Sequence, residues 1–287
     1  MEIKRRVGLP RMYFHVMNRG ARGVSIFSGE EDRSLFVGLL GRFALKYEVD
    51  IVSWCLMPNH YHMEPDSEGS ALCEMMRDLD GTYARVYNER HGTSGCLFQG
   101  PFKSMAIPDE EGLAYVSRYI HANPRSMGTP PEEYRWSSCR SYLGLAPVPS
   151  WLAPSPVLGH CRQAGMSDVE AYRHYLAAAP PAIRRSSSKT DGLGDFYLEF
   201  IRHMEGRLAE RLVPLNGLLG HVSLRTVVTW MVHCLQGVPA GAIAEYYGHK
   251  GEGTVRALVG RFGARLEGDP HLKETLLSVN VPATRIR

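Results

Sequence analysis

His60-Tyr61-His62 places two imidazoles two positions apart. In a strand, side chains at i and i+2 leave the same face, so both rings can reach one metal ion while Tyr61 points the other way. Tyr115, Tyr119 and Asn123 recur at steps of four, which lines them along one side of a helix. The amide oxygen of Asn123 is a hard donor suited to a divalent cation, beside the Tyr119 hydroxyl. A phenol, with a reference pKa of about 10, is a weak nucleophile at neutral pH unless its deprotonation or attack is assisted. A divalent ion held by His60, His62 and Asn123 would polarise a scissile phosphate and stabilise its developing charge. That would make Tyr119 competent for in-line displacement, with a phosphotyrosine link as product. Without an ion, the same residues read as a pair of sheet-surface histidines and a row of packing tyrosines.

These groups need a strand and a helix to hold them. Met-Tyr-Phe-His-Val-Met from Met12 is rich in strand-forming residues and stops at the turn signal Asn18-Arg19-Gly20. The run from Glu30 opens with acids and sets Leu35, Leu39, Leu40 and Phe43 on one helical face. Residues 50–57 read as a strand, broken at Pro58-Asn59 before an extended pattern resumes at His60, which predicts a hairpin. A helix follows over about residues 70–90, with Leu72, Met75, Met76, Leu79, Tyr83 and Val86 at helical spacing and Gly92 to Gly95 ending it. Residues 97–107 are expected to be extended, with a bend at Gly100-Pro101. A further helix runs from Pro108 to about Ala122, stopped by Pro124, with Leu113, Val116 and Ile120 toward the sheet.

That order predicts an α+β fold: a split βαβ, ferredoxin-like antiparallel sheet with helices on one face, over residues 1–145. Pro147, Pro149, Pro154 and Pro156, then Pro180-Pro181 with Arg184-Arg185-Ser186, read as a linker with short helices over residues 146–193. Residues 194–287 read as all-α. Segments 224–235, 240–247 and 253–266, with a Gly-rich turn before the last, predict a helix-turn-helix-like module.

Apolar residues make up 44% of the 287 and charged residues 22%, a globular balance far from disordered or membrane classes. The formal net charge of +3 is too mild to imply nucleic-acid binding by itself, so any basic surface must be local. Lys4, Arg5, Arg6, Arg11, Arg19 and Arg22 against Glu2 form such a concentration. No apolar stretch is long enough to span a membrane and no apolar segment follows the basic start, so a cytoplasmic protein with no membrane partner is expected. The cysteines are scattered without a CxxC pair, which argues against a structural zinc site or a disulfide framework.

Met57-Pro58-Asn59-His60-Tyr61-His62 resembles the HUH metal motif of single-tyrosine transposases, and Tyr119-Ile120-His121-Ala122-Asn123-Pro124 resembles their catalytic Tyr-x-x-x-Asn-Pro helix. Within that family the chain is most similar to REP-associated tyrosine transposases. Support comes from His15-Val16-Met17-Asn18-Arg19-Gly20, from residues 94–104 (Ser-Gly-Cys-Leu-Phe-Gln-Gly-Pro-Phe-Lys-Ser), and from Tyr134-Arg135-Trp136-Ser137-Ser138. The resemblance covers about residues 8–145. It implies an enzyme dependent on Mg²⁺ or Mn²⁺ that cuts and rejoins single-stranded DNA beside a palindromic hairpin, through a covalent 5′-phosphotyrosine. Carried over, Tyr119 is the nucleophile and His60, His62 and Asn123 are metal ligands. The family continues past its HUH motif with aliphatic residues, whereas Met63-Glu64-Pro65-Asp66 stands here, which predicts a shortened strand with an acid close to the ions. Tyr115 precedes Tyr119 at the spacing of two-tyrosine enzymes, but the resemblance supports only Tyr119 and Tyr115 reads as structural.

A second resemblance, to the DNA-binding domain of DnaA-type replication initiators, rests on Ala242-Ile243-Ala244-Glu245-Tyr246-Tyr247-Gly248-His249-Lys250, Gly253-Thr254-Val255-Arg256-Ala257 and Asp269-Pro270-His271-Leu272. It makes Lys250, Thr254 and Arg256 candidate contacts to duplex DNA. Arg5, Arg6, Arg19, Arg22 and Lys103 are the candidate phosphate contacts of the first domain. The competing expectation is a transcriptional regulator derived from a transposase, in which the fold binds hairpin or duplex DNA without cutting it.

Overall fold

The computed structural model describes residues 11–178, 192–212, 219, 222–235 and 238–280. The expected phosphate contacts Arg5 and Arg6 lie outside the described residues. The chain divides into two compact units, Met1–Ala182 and Ile183–Arg287.

The first unit is built on a four-stranded antiparallel sheet, in the order β2-β3-β1-β4, from β1 (Met12–Arg19), β2 (Asp50–Met57), β3 (His60–Ser67) and β4 (Lys103–Ile107). Met57 pairs with His60, so Pro58-Asn59 is a two-residue hairpin turn, as its residue types predict. Helices α1 (Glu30–Lys46) and α2 (Gly69–His91) pack together, and α3 (Glu110–Ala122) follows β4. Only residues 103–107 of the expected extended run 97–107 form strand; before the bend, Phe98 bridges Gly20.

Alternation along β3 sorts its side chains to two covered faces. Tyr61 and Met63 join an apolar cluster with Phe14, Val16, Phe36, Leu40, Met76 and Tyr83. The Tyr61 ring lies 4.9 Å from Phe36, and its hydroxyl donates to Asp80 on α2 at 2.7 Å. Burying one phenylalanine such as Phe36 stabilises by about 1.5–3 kcal/mol. His62 and Glu64, of opposite parity, face α3. The expectation of helices on one face is therefore corrected: α1 and α2 cover one side, and α3 covers the other. The extra helix buries Leu113, Val116 and Ile120 where a simpler sheet would meet water.

The predicted shortening of the strand after His62 is also corrected, because β3 continues to Ser67. Two local features make this possible. Proline is tolerated inside a sheet mainly at bulges, and the register shifts between Ile51 and Ser53, opposite Pro65 and Glu64. Glu64 is fully buried, its carboxyl is pushed up to about 8 by burial, and Ser53 and Ser117 both donate to it. A largely neutral, hydrogen-bonded acid can stay in the strand where an ion could not.

Residues 146–178 do not act as a linker. Leu152 bridges Ile51 beside β2, Ile51 N–H donates to Trp151 O at 3.2 Å, and Ala153 N–H donates to Ile51 O at 2.8 Å. A Cβ on Gly41 of α1 would lie 2.4 Å from Trp151 Nε1, so glycine is what lets this segment close on the helix. After α4 (Cys139–Tyr142), helices α5 (Ser155–Cys161) and α6 (Asp168–Ala177) pack against α3. The prolines of this stretch shape a covering layer, and the first unit extends past the expected boundary at 145.

In the second unit the described helices are α7 (Gly192–Leu212), α8 (Leu224–Trp230) continued by a π-helical turn Met231–Leu235, α9 (Ala240–Tyr247), α10 (Glu252–Glu267) and α11 (Pro270–Asn280). Phe200, Met204, Val227, Met231, Ile243, Phe262 and Leu272 are buried. Glu205 ties α7 to α9 by accepting from the hydroxyls of Tyr246 and Tyr247. Gly248, at φ +66°, closes α9 in the left-handed conformation that favours glycine, so that α10 starts after a short turn.

Candidate active site

β3, β1 and α3 bring the chemistry-bearing residues together. His60 and His62 leave the same face of β3, with ring centroids 5.0 Å apart. Tyr119, half-buried on α3, sets its ring edge-on to His62 at 5.6 Å. His15, on β1, completes the group: its Nε2 lies 3.0 Å from His62 Nδ1, the two rings stack at 5.2 Å, and it meets Tyr119 at 6.1 Å. Burial drives the His15 pKa down to about 3. Burial, with His60 and His15 nearby, drives that of His62 well below its usual value. Both rings are neutral near pH 7, the form that metal ligation requires.

The helix carrying Tyr119 is fixed at both ends. Asp109 caps its start by accepting from Gly112 N–H at 2.9 Å. At its end, buried His121 contacts Ser138 Oγ at 2.7 Å and also the Tyr172 hydroxyl. Ser138 in turn accepts from Trp54 N–H of β2 at 2.8 Å. The Trp136-Ser137-Ser138 stretch thus anchors the last turn of α3 to the sheet, and with it the position of Tyr119. Tyr115 joins a stack between α3 and α6: Arg118 lies 5.8 Å from its ring and 4.4 Å from that of Tyr175.

Asn123 follows Tyr119 by one turn, and its Nδ2 donates to Tyr119 O at 2.9 Å, so Oδ1 is the atom that suits a cation. The Asn123 side chain is thus held by its own helix and not by the two histidines. Among the described residues, no group of three or more His, Cys, Asp or Glu side chains could hold a metal ion. The donors that fit one are two imidazoles and an amide oxygen, a set that would need further oxygens, such as substrate phosphate, to complete a shell.

The basic residues divide by unit. Arg19 pairs with His60 across β1 and β3, Arg22 is exposed in the adjoining turn Ala21–Gly23, and exposed Lys103 pairs with Met17 on β4. All three sit at the His60 end of the sheet. In the second unit, Lys250 is exposed just before α10 and Thr254 in its first turn, while Arg256 is held by Glu252 at 2.6 Å. Sequence reasoning did not assign roles to His15, Asn59 or Glu64. Their signal was present as a strand histidine and the neighbours of a His-x-His pair, but the cross-strand register joining them is long-range.

Residues 9–123 match the family described as "Transposase IS200 like". That span contains His15, His60, His62 and Tyr119 and ends on Asn123. The match leaves residues 124–287 outside it. Among solved structures the chain is similar to one titled "Structure of the REP associates tyrosine transposase bound to a REP hairpin", at 17% identity and a TM-score of 0.39, covering 48% of this chain and 82% of that one. No curated protein matches the chain. Among the described residues, no helix is long and apolar enough to cross a membrane.

Proposed function

We propose that the first unit is a transposase domain that cleaves and rejoins single-stranded DNA beside a hairpin, with Tyr119 as nucleophile. The observation that carries this reading is the placement of the Tyr119 ring against His62 and His15, with His60 alongside, inside the stretch that matches the transposase family. The strand order β2-β3-β1-β4 supports the ferredoxin-like form of the fold.

His60 and His62, with Asn123 Oδ1, are the residues that would hold Mg²⁺ or Mn²⁺. When bound, such an ion supplies Lewis-acid polarisation of the scissile phosphate. Tyr119 Oη attacks phosphorus as it loses its proton, the P–O3′ bond breaks, and the departing 3′ oxygen takes up a proton. The chain is then joined to the 5′-phosphate through Tyr119, and attack by a 3′-hydroxyl reverses the step to rejoin the strand. Arg19, Arg22 and Lys103 supply phosphate contacts at the same end of the sheet. Lys250, Thr254 and Arg256 make the second unit a candidate helix-turn-helix-like contact to duplex DNA, with α10 entering a groove.

The test is incubation with a labelled single-stranded hairpin oligonucleotide and Mn²⁺, followed by denaturing electrophoresis. A protein–DNA adduct that survives denaturant in the wild type and is missing in Tyr119→Phe supports the enzyme. No adduct in either, with hairpin binding retained, would replace it with the non-cutting regulator.

A further inference from the structure

His60 and His62 are held alike. Each has its Nδ1 engaged by a neighbour that is not one of the three ligands of the proposed site: Asn59 Oδ1 lies 2.7 Å from His60 Nδ1, and His15 Nε2 lies 3.0 Å from His62 Nδ1. The other engagements of Asn59 fix it firmly. Its Nδ2 donates to Gly23 O at 3.2 Å and its carbonyl accepts from Gly20 N–H at 2.9 Å, so both flanks of the turn bearing Arg22 grip the residue that meets His60. His15 is buried, and its stacked contact with His62 permits little rotation of either ring.

We propose that Asn59 and His15 are positioning residues that fix the orientation and tautomer of the two histidines. Asn59 Oδ1 has only lone pairs to offer, so His60 Nδ1 must carry the proton. His15 Nε2 takes the corresponding role when His62 Nδ1–H donates to it, which puts the proton of His15 on its own Nδ1. Both His60 and His62 then meet an ion through Nε2. An imidazole whose second nitrogen donates to a fixed acceptor is a better-oriented and more basic ligand, and losing such a partner typically costs about 10–100-fold in metal affinity. The inference rests on the proposed metal site, yet the tautomers it requires exist without any metal.

Two measurements on the full chain test it. In the metal-free protein, long-range ¹H–¹⁵N spectra of the histidine rings should give Nδ1–H tautomers for His60 and His62. Nε2–H at either ring would overturn the assignment. Mn²⁺ alone is then titrated by calorimetry. Asn59→Ala and His15→Phe should each weaken binding about 10–100-fold, while Asn59→Asp, which keeps the acceptor for His60 but loses the Nδ2 donor to Gly23 O, should bind more tightly than Asn59→Ala. Asn59 lies in a half-buried turn, so its pair of variants carries the test if the buried His15→Phe change impairs folding. Equal affinity in Asn59→Ala and wild type would overturn the positioning role. Nδ1–H tautomers in a wild type that binds no Mn²⁺ would support the fixed rings and sink the metal reading.

Discussion

The two faces of one strand differ in what they ask of their neighbours. On one face of β3, Tyr61 and Met63 meet Phe36, Tyr83 and Met76, and nearly every contact is apolar or aromatic. On the other, His62 and Glu64 meet His15, Ser53, Ser117 and Tyr119, and nearly every contact is polar. The period of two in His-Tyr-His-Met-Glu is enough to interleave a packing surface with a chemical one. The first is non-directional and tolerates exchange of similar volumes. The second depends on which nitrogen, oxygen or hydroxyl lies where, and it stays in place because the first is rigid.

The comparison would break most visibly at Tyr119. Tyr119→Phe removes one oxygen from a half-buried ring, so the covalent adduct should fall by about 10³-fold or more while unfolding free energy changes by less than about 1 kcal/mol. A comparable loss of stability would mean that the chemical face also holds the fold. The mirror experiment is Phe36→Ala on the opposite side. It should lower unfolding free energy by about 3–5 kcal/mol in urea titrations, yet leave adduct formation per folded molecule unchanged.

Much of this division is legible in the sequence alone. The strand at residues 12–17, the hairpin at Pro58-Asn59, the amphipathic helices and the buried stripe Leu113, Val116, Ile120 all follow from local periodicity, which a chain states directly. The His-x-His pair and Tyr119 were legible as a match of spacings. What escaped were features that depend on partners far along the chain. Met63-Glu64-Pro65-Asp66 reads as a shortened strand, because nothing local indicates that Ser53 and Ser117 will hydrogen-bond Glu64. The prolines of 146–156 looked like a linker, because Trp151 reveals its role only against Gly41. His15 lies 47 positions from the ring it holds, and no periodicity spans that distance.

A third test asks whether the packing face is truly indifferent to polar chemistry. Asp80 on α2 accepts from the Tyr61 hydroxyl at 2.7 Å and from Asn18 Nδ2 at 2.8 Å, and burial pushes its carboxyl up to about 7. Because that value lies above the ordinary one, the group binds a proton more tightly in the fold than in the unfolded chain. Its contribution to stability is complete below about pH 4 and is lost as pH rises through about 7. Subtracting the stability-versus-pH curve of Asp80→Asn from that of wild type should give a difference that declines across this window. A flat difference would mean that the carboxyl is solvated and that the face is less closed than its neighbours imply.

The smallest expected effect lies at the rim of the chemical face. Arg22 is exposed and holds φ +55°, a conformation costly for most side chains but accessible to asparagine. Arg22→Asn therefore removes the charge without penalising the turn that Asn59 grips. If Arg22 neutralises one phosphate, the dependence of log affinity for single-stranded DNA on log salt should become shallower by about 0.7, measured by fluorescence anisotropy at several salt concentrations. Mn²⁺ affinity should not change, because the backbone of Gly20 and Gly23 holds Asn59, and Arg22 itself does not. A fall in both would show that the turn carries the DNA contact and the metal geometry as one unit, and the chemical face would then extend past the sheet to its connecting loop.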